Sequence, residues 1–283
     1  MDIATFESTL IYQNNDGMDF GGMSEDRNYV LLTKTINTND SDLFLINTKT
    51  NESVKINDNL SGNSPQDFDP DGKSFYYTTD DNAEFSYLMK YNLEDRTKTK
   101  VVEKDWDINS FYFTRNGKYK VLFTNEDAKS VMEVKDASTN EIVTFSDINN
   151  QNITGARFSR DESMAILTAS GSNMPTNSYS YTIANKEYHQ LTDVLNKEIN
   201  ADDLVTAEVV RYKSFDGLEI PAIYYAPQQA SPTHKVPALV WVHGGPGGQS
   251  GQRFNSTIQY LVNHGYAILA VNNRGSSGYG KTF

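Results

Sequence analysis

Two glycine-rich loops hold the residues whose types and spacing could do chemistry. One is residues 243–250, with the sequence HGGPGGQS, and the other is residues 272–281, with the sequence NNRGSSGYGK. Glycines let a backbone come close to a substrate carbonyl and aim N–H groups at its oxygen. The first loop therefore has the character of an oxyanion loop, which stabilises charge that develops during acyl transfer. The alternative is a tight turn that binds no ligand.

The second loop also satisfies a phosphate-binding pattern letter for letter. Gly275–Thr282 reads GxxxxGK[ST], which would place Lys281 on the β/γ-phosphates and Thr282 on Mg²⁺. That pattern requires a strand directly before its first glycine, whereas the preceding apolar run ends at Val271 and three polar residues follow. A nucleotide-binding site is therefore the less favoured interpretation.

Residues 1–283 offer no catalytic nucleophile. Ser250 and Ser277 each follow a glycine by two positions, but neither has the second glycine of a G-x-S-x-G turn. The absence of cysteine excludes a cysteine nucleophile and a zinc–thiolate site. We expect His243 to hold its loop rather than to move protons, and none of the four histidines is placed as a triad base: His189, His234, His243 and His264. The prediction is no catalytic triad residue, no metal and no cofactor in these residues.

The elements around the two loops indicate an α/β domain. Val205–Tyr212 and Leu218–Tyr225 look like two strands, followed by the apolar run Val236–Val242, which suits a strand buried on both faces. A helix follows, with a predicted capping box at Ser256–Gln259 and Gly265 at its carboxyl end, and then a second buried strand. Strand, helix and strand predict a parallel crossover. Ligands bind outside the carboxyl ends of parallel strands, where both glycine-rich loops stand.

The first two-thirds of the chain contain a repeat of 45 residues. Each copy places a large residue before a polar turn and then a strand-like run; the copies are Met23–Arg27, Phe68–Gly72, Phe113–Gly117 and Phe158–Glu162. Four short strands per repeat are typical of a propeller blade, and the alternative is a β-sandwich with evenly spaced strands. We also expect a strand at Thr9–Gln13. The turn Asp69–Gly72 could bind calcium, but ordinary turn chemistry explains it as well.

Three segments near the end of the chain resemble a known family. In order and spacing they resemble the start of the catalytic domain of prolyl oligopeptidase-family (S9) serine peptidases. The segments are Ser214–Ala222, Trp241–Gly248 and Asn273–Gly280. The likeness is closest to the acylaminoacyl-peptidase and dipeptidyl-peptidase-5-like branch, and it is dense from Val205 to Phe283.

The resemblance implies roles for residues of both loops. A backbone N–H of the first loop, that of Gly245 with Gly244 beside it, would form half of an oxyanion hole. The resemblance also implies that the nucleophile lies in a GxSxGG turn downstream, with the Asp and His later still. Arg274 could brace its loop through a salt bridge or contact substrate, and both remain open. The residues expected to border the active site are His243, Pro246, Arg274, Gly275 and Tyr279.

The fold predicted is mostly β: four visible propeller blades with a 45-residue period, followed by the N-terminal part of an α/β-hydrolase domain. We expect residues 1–203 to be a partial propeller, with further blades upstream, and residues 204–283 to open the catalytic domain. The resemblance implies a serine peptidase that hydrolyses short peptides through an acyl-enzyme, with residues 1–283 alone inactive. The alternative is a non-catalytic propeller scaffold. The sequence leaves the oligomeric state open, and also whether the protein is cytoplasmic or exported.

Composition narrows the partners of the protein. A formal net charge of −12 disfavours a broad nucleic-acid-binding surface. No apolar run approaches the roughly 18 residues that a membrane span requires. The expected partner is a peptide substrate, with neither nucleic acid nor membrane.

Overall fold

The structure is a computed structural model that describes residues 4–245 and 247–283. The chain divides into two compact units, Met1–Phe113 and Thr114–Phe283. Both units consist mostly of strands, and α1 (Ser256–Asn263) is the single α-helix within the described residues. No helix in these ranges is both long and apolar enough to cross a membrane.

The first unit contains two four-stranded antiparallel sheets, each with its strands in chain order. Leu31 and Leu43 of one sheet pack with Phe75, Tyr77 and Tyr91 of the other, so that one hydrophobic core joins the two sheets. The strands are β1 (Asp19–Met23), β2 (Tyr29–Thr35), β3 (Ser41–Asn47) and β4 (Ser53–Lys55), then β5 (Asn63–Phe68), β6 (Ser74–Thr79), β7 (Tyr87–Asn92) and β8 (Lys98–Val102), and finally β9 (Asp107–Phe113).

The second unit begins with a long hairpin and a four-stranded antiparallel sheet. The hairpin strands are β10 (Tyr119–Glu126) and β11 (Lys129–Asp136), and the sheet strands are β12 (Asn152–Phe158), β13 (Met164–Gly171), β14 (Met174–Thr182) and β15 (Glu187–Gln190). An isolated bridge between Lys135 and Ile142 stands where the third repeat was expected to have its fourth strand. The other three repeats each have four strands.

The α/β part of the second unit is a four-stranded sheet with one helix. Its strands are β16 (Glu208–Lys213), β17 (Glu219–Tyr225), β18 (Ala238–Val242) and β19 (Ala267–Val271), in the order β16-β17-β19-β18. β18 and β19 are parallel and α1 connects them, which confirms the predicted crossover. The predicted burial of β18 is wrong, because β18 is the edge strand of this sheet. Val240 and Val242 are 67% and 66% exposed.

The backbone confirms the 45-residue repeat. The fifth residue of each copy has a positive φ, and its N–H donates to the carbonyl three residues earlier at 2.8–3.0 Å; these residues are Arg27 (φ 61°), Gly72 (φ 70°), Gly117 (φ 73°) and Glu162 (φ 57°). Each repeat of four strands pairs them in chain order, as the strands of a propeller blade do. The strand expected at Thr9–Gln13 does not form, and these residues pair with no strand of the described chain.

The ends of helix α1 differ in how well the sequence predicts them. The predicted capping box is wrong: the N-cap is Asn255, whose side chain accepts from the Ile258 N–H at 3.1 Å. Gln259 instead binds residues far away in the chain. Gly265 is confirmed at the carboxyl end with a φ of 90°, and its N–H donates to the Val262 carbonyl at 2.9 Å. The positive φ explains why glycine stands there.

Gly72→Ala should lower the free energy of unfolding of the first unit by about 1–2 kcal/mol, the cost of a left-handed non-glycine residue. In the part of the chain that the structure describes, a Cβ at Gly72 would meet no atom within 4 Å, so the effect isolates backbone conformation from steric clash. Gly22→Ala is the matched control, because Gly22 also has open space but no positive φ. Urea denaturation measures both variants. Equal losses in the two variants would contradict a requirement for a left-handed backbone at Gly72.

Candidate active site

The two glycine-rich loops lie side by side because they leave the same end of two parallel strands. Val242, the last residue of β18, is in register with Val271, the last residue of β19. Two contacts then join the loops. His243 Nε2 lies 2.8 Å from Ser276 Oγ, and the Ser277 N–H donates to the Gly248 carbonyl at 3.2 Å. The sequence predicted the position of these loops, but not the contacts that join them.

The predicted oxyanion glycines form an open turn at the end of β18. Gly245 has a φ of 85°, and its carbonyl accepts from the Gly247 N–H at 2.7 Å. Among the described residues, a Cβ at Gly244 or at Gly245 would meet no atom within 4 Å, so the turn is open on that side. The N–H groups of both glycines have no acceptor among the described residues. Pro246, which was also predicted to border the site, lies outside the described residues.

The His243 imidazole holds the loops together. The Ser276 hydroxyl lies 2.6 Å from the Asn273 carbonyl, and in the tautomer with its proton on Nε2 the ring donates to the Ser276 oxygen. Nδ1 lies 3.2 Å from the carbonyl of Gly244. Among the described residues, both of these polar contacts of the ring are thus with loop residues.

Asn272 is a site residue that the sequence did not single out. It is fully buried, and its side chain binds the backbone of Ser250 twice: Oδ1 accepts from the N–H at 2.6 Å and Nδ2 donates to the carbonyl at 3.0 Å. Nδ2 also donates to the Tyr279 hydroxyl at 3.0 Å. A polar residue directly after a buried strand was the available signal. Asn272 therefore fastens the far end of the first loop to β19.

Tyr279, predicted to border the site, is a supporting residue in this structure. Burial, with a further contribution from the Asp127 carboxylate, raises the pKa of the Tyr279 hydroxyl to about 12. The phenol is therefore neutral at physiological pH. It accepts from Asn272 and so helps to fix the orientation of that side chain.

Arg274 pairs with Asp216 in the turn between β16 and β17. The hydrogen bond from its guanidinium holds the pKa of the Asp216 carboxyl below its usual value. The guanidinium carbon also lies 6.0 Å from the centre of the Phe215 ring. Arg274 thus braces its loop against the hairpin, one of the two roles that the sequence left open. Gly275 follows with a φ of 85°, and its N–H donates to the Phe283 carbonyl at 3.1 Å.

The geometry of the second loop disfavours the phosphate-binding interpretation. A phosphate would have to be bound by free backbone N–H groups after the first glycine. Here the N–H groups of Gly275, Ser276 and Ser277 already donate to carbonyls of Phe283, Asn273 and Gly248. β19 also ends at Val271, four residues before the first glycine of the pattern.

Comparison with known proteins places the chain in a family. The family model for the prolyl oligopeptidase N-terminal β-propeller domain matches residues 5–194. The chain is 30% identical over 125 residues to the uncharacterized peptidase YuxL of Bacillus subtilis, an alignment that covers 44% of this chain and 19% of that protein. It is 26% identical over 212 residues to a probable dipeptidyl-aminopeptidase B of Sclerotinia sclerotiorum, covering 73% of this chain and 22% of that protein. These alignments span about a fifth of the length of each relative.

Two solved structures share the fold of nearly the whole chain. A puromycin-hydrolyzing peptidase of Mycobacterium tuberculosis superposes with a TM-score of 0.78 at 15% identity, over 96% of this chain and 44% of that chain. An acylaminoacyl peptidase of Pyrococcus horikoshii superposes with a TM-score of 0.65 at 21% identity, over 96% of this chain and 42% of that chain. At these identities the likeness shows the fold alone. With the family model matching residues 5–194, the chain belongs to the prolyl oligopeptidase (S9) family of peptidases.

Proposed function

We propose that the whole protein is a serine-type peptidase that hydrolyses short peptides through an acyl-enzyme. The observation that carries the proposal is the open turn of Gly244 and Gly245 at the carboxyl end of β18, whose N–H groups have no acceptor among the described residues. The relatives support it, because the two named above are a peptidase and a probable dipeptidyl-aminopeptidase. Residues 1–203 would be part of the propeller that restricts entry to short peptides, and residues 204–283 would begin the catalytic domain.

In this mechanism the carbonyl oxygen of the scissile bond lies against the Gly245 N–H. Attack by a serine hydroxyl turns that oxygen into an oxyanion. The N–H stabilises the new charge, which raises the rate by a factor of about 10²–10³. The C–N bond then breaks as the amine leaves with a proton, and water hydrolyses the resulting ester. We assign the serine, aspartate and histidine to parts of the protein outside residues 1–283, because no serine here lies in G-x-S-x-G.

The loop residues would act by holding this geometry. His243 and Ser276 join the two loops, Asn272 fastens Ser250, and Arg274 braces the second loop against Asp216. Each of these contacts is formed without substrate. The arrangement would therefore be preorganised, so that little reorganisation is required when charge develops.

A fluorophosphonate probe tests the proposal, because it reacts covalently with an activated serine. We expect the whole protein to be labelled and to hydrolyse short peptides, and residues 1–283 alone to remain unlabelled. The control is the whole protein with the serine of its G-x-S-x-G turn replaced by alanine. Labelling of residues 1–283 would contradict the assignment of the nucleophile. A whole protein that neither reacts nor hydrolyses peptides would favour the scaffold alternative.

A further inference from the structure

The tip of the β10–β11 hairpin has unusual residues in a common type of turn. The two strands pair without a break from Tyr119↔Asp136 to Glu126↔Lys129, and two residues close the hairpin. Those residues, Asp127 and Ala128, both have positive φ, 52° and 64°. Such turns favour Asn-Gly, and a left-handed alanine costs about 1–2 kcal/mol. Backbone conformations of this kind persist where the surroundings impose them.

The surroundings that impose the turn belong to the α/β part of the same compact unit. Ala128 is buried in a hydrophobic cluster with Ile223, Tyr225 and Ile258, among others. Its carbonyl accepts from the Gln252 N–H at 2.9 Å, and the Asp127 carbonyl accepts from the Gln252 side chain at 3.0 Å. The Asp127 carboxylate pairs with Arg211 at 2.7 Å. The tip of the third propeller repeat is thus part of the core formed by β17, β19 and α1.

Asn125, two residues before the turn, reaches the first glycine-rich loop itself. Its Nδ2 donates to Gln249 Oε1 at 2.9 Å. Gln249 Nε2 is buried and has no hydrogen-bond partner among the described residues, so the bond from Asn125 is the one that its amide makes there. A Cβ at Gly278 would lie 2.5 Å from both amide nitrogens, so glycine at this position of the second loop leaves room for the contact.

These contacts fix both ends of the segment that holds the predicted oxyanion glycines. β18 and the His243–Ser276 contact fix its beginning. The Gln249–Asn125 contact, next to the Ser250–Asn272 pair, fixes its end only four residues beyond Gly245. A segment this short has few conformations once both of its ends are held. The direction of the Gly245 N–H then depends on a side chain of the propeller repeat.

We propose that Asn125 is a positioning residue for the oxyanion loop, contributed by the third propeller repeat. Its effect on catalysis rests on the proposed peptidase function, whereas its effect on the loop does not. Loss of the side chain leaves the Gln249 amide without a partner, and an unpaired buried polar group favours movement towards water. The loop end would then become mobile while the rest of the fold is retained.

Amide hydrogen exchange in the whole protein tests the effect on the loop. Asn125→Ala should speed exchange of the Ser250 amide, which donates to Asn272 Oδ1 at the loop end, by about tenfold, with little change in the propeller strands. Lys129→Ala is the control, an exposed side chain beside the same turn, and should leave exchange unchanged. Asn125→Asp should restore most of the protection, because a carboxylate can accept from Gln249 Nε2 after the amide rotates. Unchanged exchange in Asn125→Ala, or no rescue by aspartate, would overturn the proposal.

Peptide hydrolysis by the whole protein tests the effect on catalysis. Asn125→Ala should lower kcat about tenfold and leave KM within about twofold, because the oxyanion interaction forms only in the transition state. Faster exchange with kcat unchanged would overturn the catalytic part of the proposal. Faster exchange in a protein whose wild type hydrolyses no peptide would support the positioning and refute the proposed function. The two failures are therefore distinguishable.

Discussion

Gln259→Leu should lower the free energy of unfolding of the second compact unit by about 3 kcal/mol, because each unpaired buried polar group costs about 1–3 kcal/mol. The side chain is 3% exposed and satisfies three backbone groups. Its Oε1 accepts from the Val205 N–H at 3.0 Å, and its Nε2 donates to the carbonyls of Val205 and Ser172, each at 2.8 Å. Leucine has nearly the same size but leaves all three groups unpaired. Its greater apolarity offsets part of the cost.

Urea denaturation followed by tryptophan fluorescence measures this loss. The chain has two tryptophans, one in each compact unit, so a Trp106→Phe background reports the second unit through Trp241. Gln228→Leu is the matched control, because Gln228 is exposed and makes one hydrogen bond, to the Asp202 carbonyl at 2.6 Å. We expect that control to lose less than about 1 kcal/mol. Similar losses in the two variants would show that the buried hydrogen bonds of the Gln259 amide do not account for the loss of stability.

Gln259 also shows why sequence reasoning fails at particular residues. The local pattern predicted a capping box, in which Gln259 would bond a backbone N–H three residues earlier. Its actual partners are 54 and 87 residues away in the chain, and Asn255 caps the helix instead. A buried glutamine can satisfy three backbone groups at once, whereas the exposed end of a helix can be capped by many side chains. Tertiary contacts therefore decided its role.

The features that the sequence did predict depend on short-range geometry. The 45-residue repeat was legible because Gly72 and Gly117 stand where the backbone is left-handed, a requirement local to each turn. The nearness of the two glycine-rich loops followed from the parallel pairing of β18 with β19. The residues that hold those loops were not predicted. Asn125 lies 124 residues from its partner Gln249, and nothing in the local pattern connects the two.

The exposure of β18 has a related cause. A continuous apolar run predicts that a strand will be covered, but it does not say which element covers it. In the described chain β18 pairs with β19 along one edge and has no pairing strand along the other. Leu239, Val240 and Val242 are consequently exposed to 39%, 67% and 66%. The pattern identified the strand, while its environment depends on packing that hydrophobicity alone does not specify.

Gly245→Ala in the whole protein should lower kcat/KM for a short peptide by about 10²–10³, the usual cost of losing one oxyanion donor. Gly245 has a φ of 85°, where alanine is strained by about 1–2 kcal/mol. Within the described chain a Cβ there would meet no atom within 4 Å, and we expect the backbone to relieve the strain by rotating. That rotation turns the Gly245 N–H away from the substrate oxygen. Steady-state kinetics should show the loss mainly in kcat.

Two controls separate loss of the donor from general strain. Gly72→Ala imposes a similar backbone strain in the first compact unit, at a φ of 70° and with equally open space, and should leave kcat/KM unchanged. Gly244→Ala adds the same methyl group within the loop but at a residue without a positive φ, so the turn should keep its shape and most of its activity. If Gly245→Ala lost no more activity than Gly244→Ala, the direction of its N–H would not matter to the reaction. Another group would then have to stabilise the oxyanion, and the Gly244–Gly245 turn would have a structural role only.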